Sequence, residues 1–321
     1  MNINNFYNCC DRIFGARNIC ILNKIFEFNQ FNMKIKILIP LYNDWQSLLK
    51  LLENINHHVR DIDHIISIVV VNDGSSEKVP NSFSSYSKIN SIKIINLKEN
   101  IGHARSIATG LKFILEKNNF DYVIPMDSDG EDRPDEIKDL IKKIEPQSDL
   151  PIVCERVKRS EGFFFKFCYF LHKLITFTFT GRSIKFGNFT CLPKEVVKNM
   201  TNEKATWSSF SRALSKISKL KIGTPSERGT RYFGPSKMSF KNLIVHSLSI
   251  IAVFKINVLI RSILFFFIYL FLIYEKISVI TLIPILLIVI FNLLVILISK
   301  RENLEKYRNS NQNIFDVKVI K

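Results

Sequence analysis

From residue 33 onward, short apolar runs alternate with segments whose apolar positions recur at helical spacing. The apolar runs, rich in β-branched residues, are residues 35–39, 65–71, 92–96, 122–126 and 152–154. Helical patterns occupy residues 44–57, 102–117 and 134–144. Near-continuous apolar strands separated by helices are typical of a parallel sheet covered on both faces. The pattern therefore predicts an α/β domain with a mostly parallel, Rossmann-like sheet.

The end of the chain follows a different pattern. Residues 257–274 and 277–299 are dominated by Ile, Leu, Phe and Val, and each is close to the ~20 residues that cross a bilayer core. Only Glu275 and Lys276 separate the two segments, so we expect a hairpin of two transmembrane helices over residues 257–299. Basic residues in the tail, 300–321, place this tail and the α/β domain on the cytoplasmic side. Two buried helices of a soluble domain are the alternative.

Two further segments combine apolar and basic residues. The Phe-rich residues 162–180 are interrupted by Lys166, His172 and Lys173, and residues 239–256 carry one apolar helical face. Helices of this composition lie in the headgroup plane of a membrane, so interfacial helices are predicted. Ordinary burial in a core competes with this interpretation.

Composition narrows the classes of function. The 321 residues include 45 Lys and Arg against 29 Asp and Glu, a net charge of +16. This charge suits an anionic membrane face or phosphorylated ligands, although a lysine-rich composition alone would also produce it. No basic run is interleaved with aromatic residues, so nucleic acid is not an expected partner. The six cysteines show neither metal-ligand spacing nor disulfide density, which predicts reduced thiols in the cytoplasm.

The first 32 residues lack a basic region followed by a continuous apolar core, so they are not interpreted as a signal peptide. The first strand pattern begins directly at Met33. We therefore expect residues 1–32 to be a dispensable, poorly ordered extension of a domain that spans residues 33–238.

The strongest chemical signal follows the apolar run 122–126, where Asp127-Ser-Asp129 places two carboxylates at the end of a strand. In open α/β sheets, ligands bind at the carboxyl ends of the strands. Carboxylates one residue apart can share a divalent cation such as Mg²⁺, whose remaining ligands are water and substrate phosphates. The segment predicts a metal and phosphate site, although Asp is also common in ordinary loops.

Residues 34–238 resemble family-2 glycosyltransferases of the GT-A fold, most closely the branch that transfers a sugar from a nucleotide to a polyisoprenyl phosphate, as dolichol-phosphate mannosyltransferases do. The segments that carry the resemblance are Ile39-Pro-Leu-Tyr-Asn-Asp44, Val70-Val-Asn-Asp-Gly-Ser75, Asn100-Ile-Gly-His-Ala104, Asp127-Ser-Asp129 with Pro134, and Arg231-Tyr-Phe-Gly-Pro-Ser-Lys237. Their order, followed by two membrane segments, makes the resemblance specific.

The resemblance implies a nucleotide pocket lined by Pro40, Tyr42, Asp44, Val71 and Asp73. Tyr42 would offer its ring to the base, and Asp44 would accept from base or ribose. The family usually has Asp at the position of Asn72, which keeps an acceptor but carries no charge. His103, in the Asn-x-Gly-x-Ala segment, is interpreted as a packing or helix-entry residue.

The resemblance also implies that Asp127, Ser128 and Asp129 bind the diphosphate of the donor, with Asp127 and Asp129 holding Mg²⁺ or Mn²⁺. Glu131 stands where the family often has Gln, and it could be a third metal ligand or a base. Asp132 is the second candidate for a base. The alternative is that Glu131 and Asp132 only favour the start of a helix.

Basic residues complete the predicted site. By the resemblance, Arg231 and Lys237 bind the donor diphosphate and an acceptor phosphate, and Arg156 supports them. Lys185-Phe-Gly-Asn-Phe189 departs from the Asp-x-Gly-Asp-Phe of many relatives. Because that segment lies near the acceptor in the family, its loss of both acids leaves the acceptor open.

The function these features predict is a metal-dependent, inverting glycosyltransferase anchored in the membrane by several spans, its catalytic residues being Asp129, Glu131, Arg231 and Lys237. Its expected partners are a UDP- or GDP-linked sugar, a polyisoprenyl phosphate and membrane lipids; homo-oligomerisation is left open. One rival is transfer to a glycan hydroxyl, with Glu131 or Asp132 as base. The other is a non-catalytic, membrane-anchored sugar-nucleotide binder.

Overall fold

The computed structural model describes residues 32–144, 149–158, 163–182, 185–234 and 240–321. The predicted N-terminal extension, apart from Asn32, lies outside the described residues. The predicted boundary after residue 238 also falls outside them.

The described strands are β1 (Lys34–Leu41), β2 (Ile65–Asn72), β3 (Ile89–Leu97), β4 (Tyr122–Pro125), β5 (Ile152–Lys158), β6 (Phe186–Pro193), β7 (Ile222–Glu227) and β8 (Ile314–Val319). The described helices are α1 (Trp45–His58), α2 (His103–Lys117), α3 (Ile137–Lys142), α4 (Phe163–Thr180), α5 (Lys194–Asn202), α6 (Phe210–Ile217), α7 (Phe240–Ala252), α8 (Lys255–Ile273), α9 (Val279–Ser299) and α10 (Leu304–Arg308).

These strands form one 8-stranded sheet in the order β7-β5-β6-β4-β1-β2-β3-β8. Strand β1 is central and pairs in parallel with β2 and β4, and β2 pairs in parallel with β3. Strand β6 runs antiparallel to both β4 and β5, and β8 runs antiparallel to β3. The predicted α/β architecture with a mostly parallel sheet is confirmed.

Burial on both faces of the sheet explains the continuous apolar runs. Ile37 and Leu38 point to opposite faces of β1, and both are fully buried. Ile37 belongs to the cluster that includes Leu48 and Leu51 of α1, whereas Leu38 belongs to the cluster that includes Leu111 of α2. A strand enclosed in this way has no polar face, so its residues do not alternate between apolar and polar.

Two long helices follow the domain, and both are apolar enough to cross a membrane by length and composition. They are α8 and α9, and their side chains are mostly exposed. The base of this hairpin is bound to α4: Arg261 donates to the carbonyl oxygen of Thr178 over 3.0 Å, and Asn257 donates to that of Thr180 over 3.4 Å. Ile251 and Ala252 of α7 share a buried cluster with Val258 of α8 and Val295 of α9. The helices α4 and α7, predicted to be interfacial, therefore both lie beside the base of the hairpin.

The segment after α9, predicted only as a basic tail, folds back onto the domain. Tyr307 of α10 is fully buried and stacks on Trp207 with ring centroids 5.6 Å apart. Strand β8 then extends the sheet beside β3. Both ends of the long hairpin thus return to the same domain.

Candidate functional site

The acidic loop after β4 is folded tightly at the carboxyl edge of the sheet. The backbone N–H of Asp127 donates to Oδ2 of Asp132 over 2.9 Å, and that of Glu131 donates to Oδ1 of Asp129 over 2.9 Å. Gly130 permits the turn with a φ of +88°. Asp129 and Asp132 are buried, whereas Asp127 and Ser128 are half-buried. Asp127 and Ser128 therefore stay partly accessible, while the buried carboxylate of Asp132 holds the loop together.

A second loop, residues 228–234, lies over the acidic loop. The guanidinium of Arg231 contacts Oδ2 of Asp129 at 2.5 Å and Oδ2 of Asp44 at 3.4 Å. The backbone N–H of Tyr232 donates to the carbonyl oxygen of Asp129 over 2.9 Å, and its hydroxyl accepts from Asn54 over 2.8 Å. Arg231 is thus brought to Asp129 from a distant part of the sequence.

Burial disfavours the charged forms of two carboxyl groups in the acidic loop. It raises the pKa of Asp129 to about 6, with a further contribution from Asp127 and opposition from Arg231. It also raises the pKa of Asp132, with Asp127 again contributing and Arg156, 3.8 Å away, opposing. Asp132 is buried and already accepts the N–H of Asp127, so in this structure it holds the loop, and its role as the second candidate for a base stays a prediction.

Glu131 is not part of an assembled metal site. Its carboxylate is paired with the guanidinium of Arg228, and no group of three or more His, Cys, Asp or Glu that could hold a metal occurs in the described ranges. In this structure Glu131 is thus engaged by Arg228, and its role as a third metal ligand stays a prediction. The other two carboxylates of the predicted set belong to Asp127 and Asp129.

These two carboxylates fit a divalent cation. Oδ1 of Asp127 is buried and accepts no hydrogen bond from the residues that the structure describes; Nε2 of His103 lies 3.3 Å from it. Oδ2 of Asp129 is neutralised by Arg231. Hard oxygen ligands on one loop suit Mg²⁺ or Mn²⁺, with the other positions left for water and phosphate oxygens. A cation shared by both carboxylates would have to displace Arg231.

The predicted nucleotide residues divide into two groups. Tyr42 is exposed, whereas Asp44 is half-buried and paired with Arg231. The side chain of Val71 is fully buried against α2, and Pro40, its partner in the β1–β2 register, is also buried. These two residues are therefore enclosed within the sheet.

Asp73 has a positional role in this structure. Its two carboxylate oxygens accept the backbone N–H groups of Ile101 over 2.8 Å and Gly102 over 2.9 Å, and burial raises its pKa. The carboxylate thus fixes the start of α2 against the end of β2. Sequence reasoning did not foresee this use, because the partners lie 28 and 29 residues away.

His103 is the first residue of α2, in agreement with its interpretation as a helix-entry residue, and it also contacts the acidic loop. Besides its contact with Asp127, its Nε2 lies 2.8 Å from Nδ2 of Asn188. Asn188 lies in β6, and Lys185, the other residue at which this segment differs from many relatives, is exposed directly before β6. Arg156 lies beside Gly187 on the same side, facing Asp132. Asn188, which stands where many relatives have an acid, is thus in contact with His103. Lys237, predicted to be catalytic, lies outside the described residues.

Replacing Gly130 with alanine is expected to lower the free energy of unfolding by about 2–4 kcal/mol, because it adds steric overlap to backbone strain. A Cβ at this position would lie 2.6 Å from the Tyr232 ring. Gly234→Ala is the matched control: Gly234 also has a positive φ, of +62°, but no atom of the described residues lies within 4 Å of the place a Cβ would take there. Thermal unfolding in detergent compares the two, and equal losses would contradict the packing of the two loops.

Comparisons with known proteins agree with this geometry. Residues 36–194 match the model of glycosyl transferase family 2. An undecaprenyl-phosphate 4-deoxy-4-formamido-L-arabinose transferase of Photorhabdus laumondii is 28% identical over 224 residues, which are 66% of this chain and 65% of that protein. An uncharacterized protein of Methanocaldococcus jannaschii is 34% identical over 112 residues, 34% of this chain and 45% of that protein. The chain thus spans less than two thirds of the length of these curated relatives.

Among solved structures, glucosyl-3-phosphoglycerate synthase of Mycobacterium tuberculosis, in complex with Mn²⁺, UDP-glucose and phosphoglyceric acid, superposes with a TM-score of 0.52 at 12% sequence identity. The superposition covers 72% of this chain and 82% of that structure. At this identity the likeness concerns the fold alone, and it confirms the GT-A architecture.

Proposed function

Because this chain belongs, through residues 36–194, to glycosyl transferase family 2, we propose that it transfers a sugar from a nucleoside-diphosphate donor to a polyisoprenyl phosphate at a membrane. The observation that carries the proposal is that the loop of Asp127 and Asp129, at the ends of parallel strands, is paired with Arg231 through Asp129. Acids that fit a cation and an arginine that fits a phosphate are the groups that a nucleotide-sugar diphosphate needs.

The donor would lie across the ends of β1, β2 and β4. Tyr42 is exposed there and offers its ring to the base, while Asp44 offers an acceptor. Mg²⁺ or Mn²⁺ held by Asp127 and Asp129 would neutralise the diphosphate and the charge it gains as it leaves. The structural relative from M. tuberculosis, described with Mn²⁺ and UDP-glucose, supports this type of donor and metal.

Arg231 would act on the leaving group. In the present arrangement its guanidinium is held by Asp129 and Asp44. A diphosphate between the two loops would offer it a bidentate anion in place of these carboxylates. Arg231 would then bind the departing nucleoside diphosphate, whose negative charge increases in the transition state.

The acceptor is proposed from its chemistry and from the position of the membrane elements. The P. laumondii relative is named for an undecaprenyl-phosphate acceptor. In this chain, Phe170, Leu174 and Phe177 of α4 are exposed, next to a hairpin of spanning length. An exposed apolar helix of this kind suits the bilayer interface. The lipid phosphate would approach the site from this side, with the hairpin spanning the membrane and the domain on its cytoplasmic face.

Transfer to a phosphate does not require a protein base. A phosphate monoester has its second pKa near 6, so it is largely a dianion at neutral pH. One of its oxygens would attack the anomeric carbon as the bond from that carbon to the donor's β-phosphate oxygen breaks. The products are a sugar linked to the polyisoprenyl phosphate, with inverted configuration at the anomeric carbon, and a nucleoside diphosphate that carries away the bonding electrons. No covalent enzyme intermediate is needed.

The rival acceptor, a glycan hydroxyl, is favoured by one observation. Asn188 and Lys185 stand where many relatives have acids, so the acceptor region differs from theirs. A hydroxyl would need a base, for which Glu131 is the first candidate. Glu131, however, is paired with Arg228, and this pairing disfavours its taking a proton.

Glu131→Gln separates the two acceptors. If the acceptor is a phosphate, we expect kcat to stay within about threefold of the wild type, because no proton is transferred and glutamine still accepts from Arg228. If Glu131 is a base, kcat falls by about 10²–10⁴-fold and the acidic limb of the pH profile disappears. Transfer rates across pH, at saturating donor, distinguish these results.

The proposed function itself is tested by following label from the donor into lipid. Full-length protein in detergent receives Mg²⁺ or Mn²⁺, a panel of radiolabelled UDP- and GDP-sugars, and undecaprenyl or dolichyl phosphate. We expect label to enter the organic phase with one donor and to depend on both metal and lipid phosphate. Transfer that proceeds without lipid phosphate, to a soluble glycan, would favour the rival acceptor.

A further inference from the structure

Three polar side chains form a line across the sheet at the end of β2. Asn72 on β2, Asn96 on β3 and Asp316 on β8 are direct neighbours in the strand registers. Nδ2 of Asn72 donates to Oδ1 of Asn96 over 2.8 Å, and Nδ2 of Asn96 donates to Oδ1 of Asp316 over 2.5 Å. Asn72 and Asn96 are buried, with 6% and 8% of their surfaces exposed. Asp316 belongs to the strand that follows the membrane hairpin.

The inner end of this line supports the turn beside the nucleotide residues. Oδ1 of Asn72 accepts the backbone N–H of Ser75 over 3.3 Å, and Oγ of Ser75 accepts that of Asn43 over 2.9 Å. Asn43 holds a left-handed conformation, with a φ of +49°, between Tyr42 and Asp44. The hydrogen bonds therefore run without a gap from the C-terminal strand to the loop that carries Tyr42.

We infer that Asp316 and Asn72 are a coupled positioning pair, through which the strand beyond the membrane hairpin fixes the donor-binding turn. The inference rests on the proposed function, since it assigns the turn to the nucleotide. It also accounts for the residue at position 72, where the resembling family usually has an acid. In this chain the acid stands at the other end of the line, on β8.

The hydrogen-bond donors and acceptors of Asn96 explain why only one end of this line can carry an acid. Asn96 has a single amide, with one donating and one accepting side. With Asn72 and Asp316, its oxygen accepts from Asn72 and its nitrogen donates to Asp316. With acids at both ends, either orientation of Asn96 would turn its oxygen toward a carboxylate. Such a buried, unmatched contact is costly.

This reasoning predicts a rescue between two distant strands. Asn72→Asp alone is expected to raise the KM for the nucleotide sugar about tenfold, because the line loses one hydrogen bond and the turn shifts. Adding Asp316→Asn permits Asn96 to rotate, so that it donates to the new carboxylate on β2 and accepts from the new amide on β8. The double variant should recover to within about twofold of the wild-type KM. Asp316→Asn alone keeps an acceptor at that end, and a rise of about twofold is expected.

The experiment measures KM for the donor, kcat at saturating donor, and nucleoside diphosphate affinity by calorimetry, all on the full chain in detergent. A positioning role predicts that KM and affinity change while kcat stays nearly constant. Lys318→Ala is the matched control, because Lys318 is exposed on the same face of β8 two residues from Asp316; it should leave all three quantities unchanged.

The outcomes separate this inference from the proposed function. If the wild type transfers sugar but Asn72→Asp is not rescued by Asp316→Asn, the coupling is overturned while the function stands. Equal and additive losses in the two single variants, with kcat falling as well, would also overturn it and indicate general loss of structure. If the wild type neither binds nucleotide nor transfers sugar, the proposed function fails, and thermal unfolding of the four variants still tests the coupling.

Discussion

Replacing Asp129 with asparagine is expected to lower kcat/KM for sugar transfer by about 10²–10³-fold. The carboxylate stands at the centre of the site: it contacts Arg231 and accepts the N–H of Glu131. Asparagine keeps the size and one acceptor oxygen, so the loop should fold, but it removes the charge needed to hold a cation beside Asp127. Label transfer from donor to lipid phosphate measures the loss.

A nearby carboxylate provides the control for this change. Asp135 follows in the same segment but is paired with Arg133 and is partly exposed. Asp135→Asn should leave transfer within about twofold, because a surface ion pair contributes little. Equal rates for Asp129→Asn and the wild type would remove Asp129 from the mechanism.

Replacing Arg231 with alanine is expected to lower kcat/KM by about 10²–10³-fold, through the loss of transition-state charge stabilisation. The same variant leaves Asp129 without its counter-ion, so the affinity of the variant protein for Mn²⁺ in the absence of donor should increase. These opposite effects follow from one guanidinium that holds Asp129 before the donor binds and the diphosphate afterwards. Transfer assays and Mn²⁺ titration measure the two effects separately.

Arg231→Lys tests whether charge alone is sufficient. Lysine cannot bind two oxygens of a diphosphate in the planar manner of arginine, so only part of the activity should return. Arg133→Ala, which removes an arginine paired with Asp135 and Glu227, is the control. A variant at Arg231 that loses transfer but binds Mn²⁺ no more tightly than the wild type would contradict the proposed exchange of partners.

The parallel half of the fold could be predicted from the sequence because its strands are buried on both faces. Such strands appear as apolar runs, and each of the five predicted runs lies within or directly at a strand. Strand β8 could not be predicted in this way. It is an edge strand in which Phe315, Val317 and Val319 are exposed, and its place in the sheet depends on pairing with β3, more than 200 residues earlier.

The site was predictable where the chemistry is local and less so where it depends on packing. Asp127 and Asp129 follow a strand directly, whereas the expectation that Arg231 lies over this loop rests on the family resemblance. The roles of Asp73 and Glu131 depend instead on partners that only the folded chain supplies, namely the N–H groups of residues 101 and 102 and the guanidinium of Arg228. His103 could have been recognised from its place at a helix start facing the acidic loop, had the position of Asn188 been known.

The most direct test of the central claim is Mn²⁺ binding, followed by electron paramagnetic resonance, with and without UDP or GDP. The protein offers the cation two carboxylates, those of Asp127 and Asp129, and Arg231 is paired with Asp129. Without nucleotide, the cation should therefore bind weakly. A nucleoside diphosphate should tighten Mn²⁺ binding by about tenfold or more, and Asp129→Asn should abolish this gain. Mn²⁺ affinity that is the same with and without nucleotide, and unchanged in Asp129→Asn, would contradict a metal-dependent donor site at this edge of the sheet.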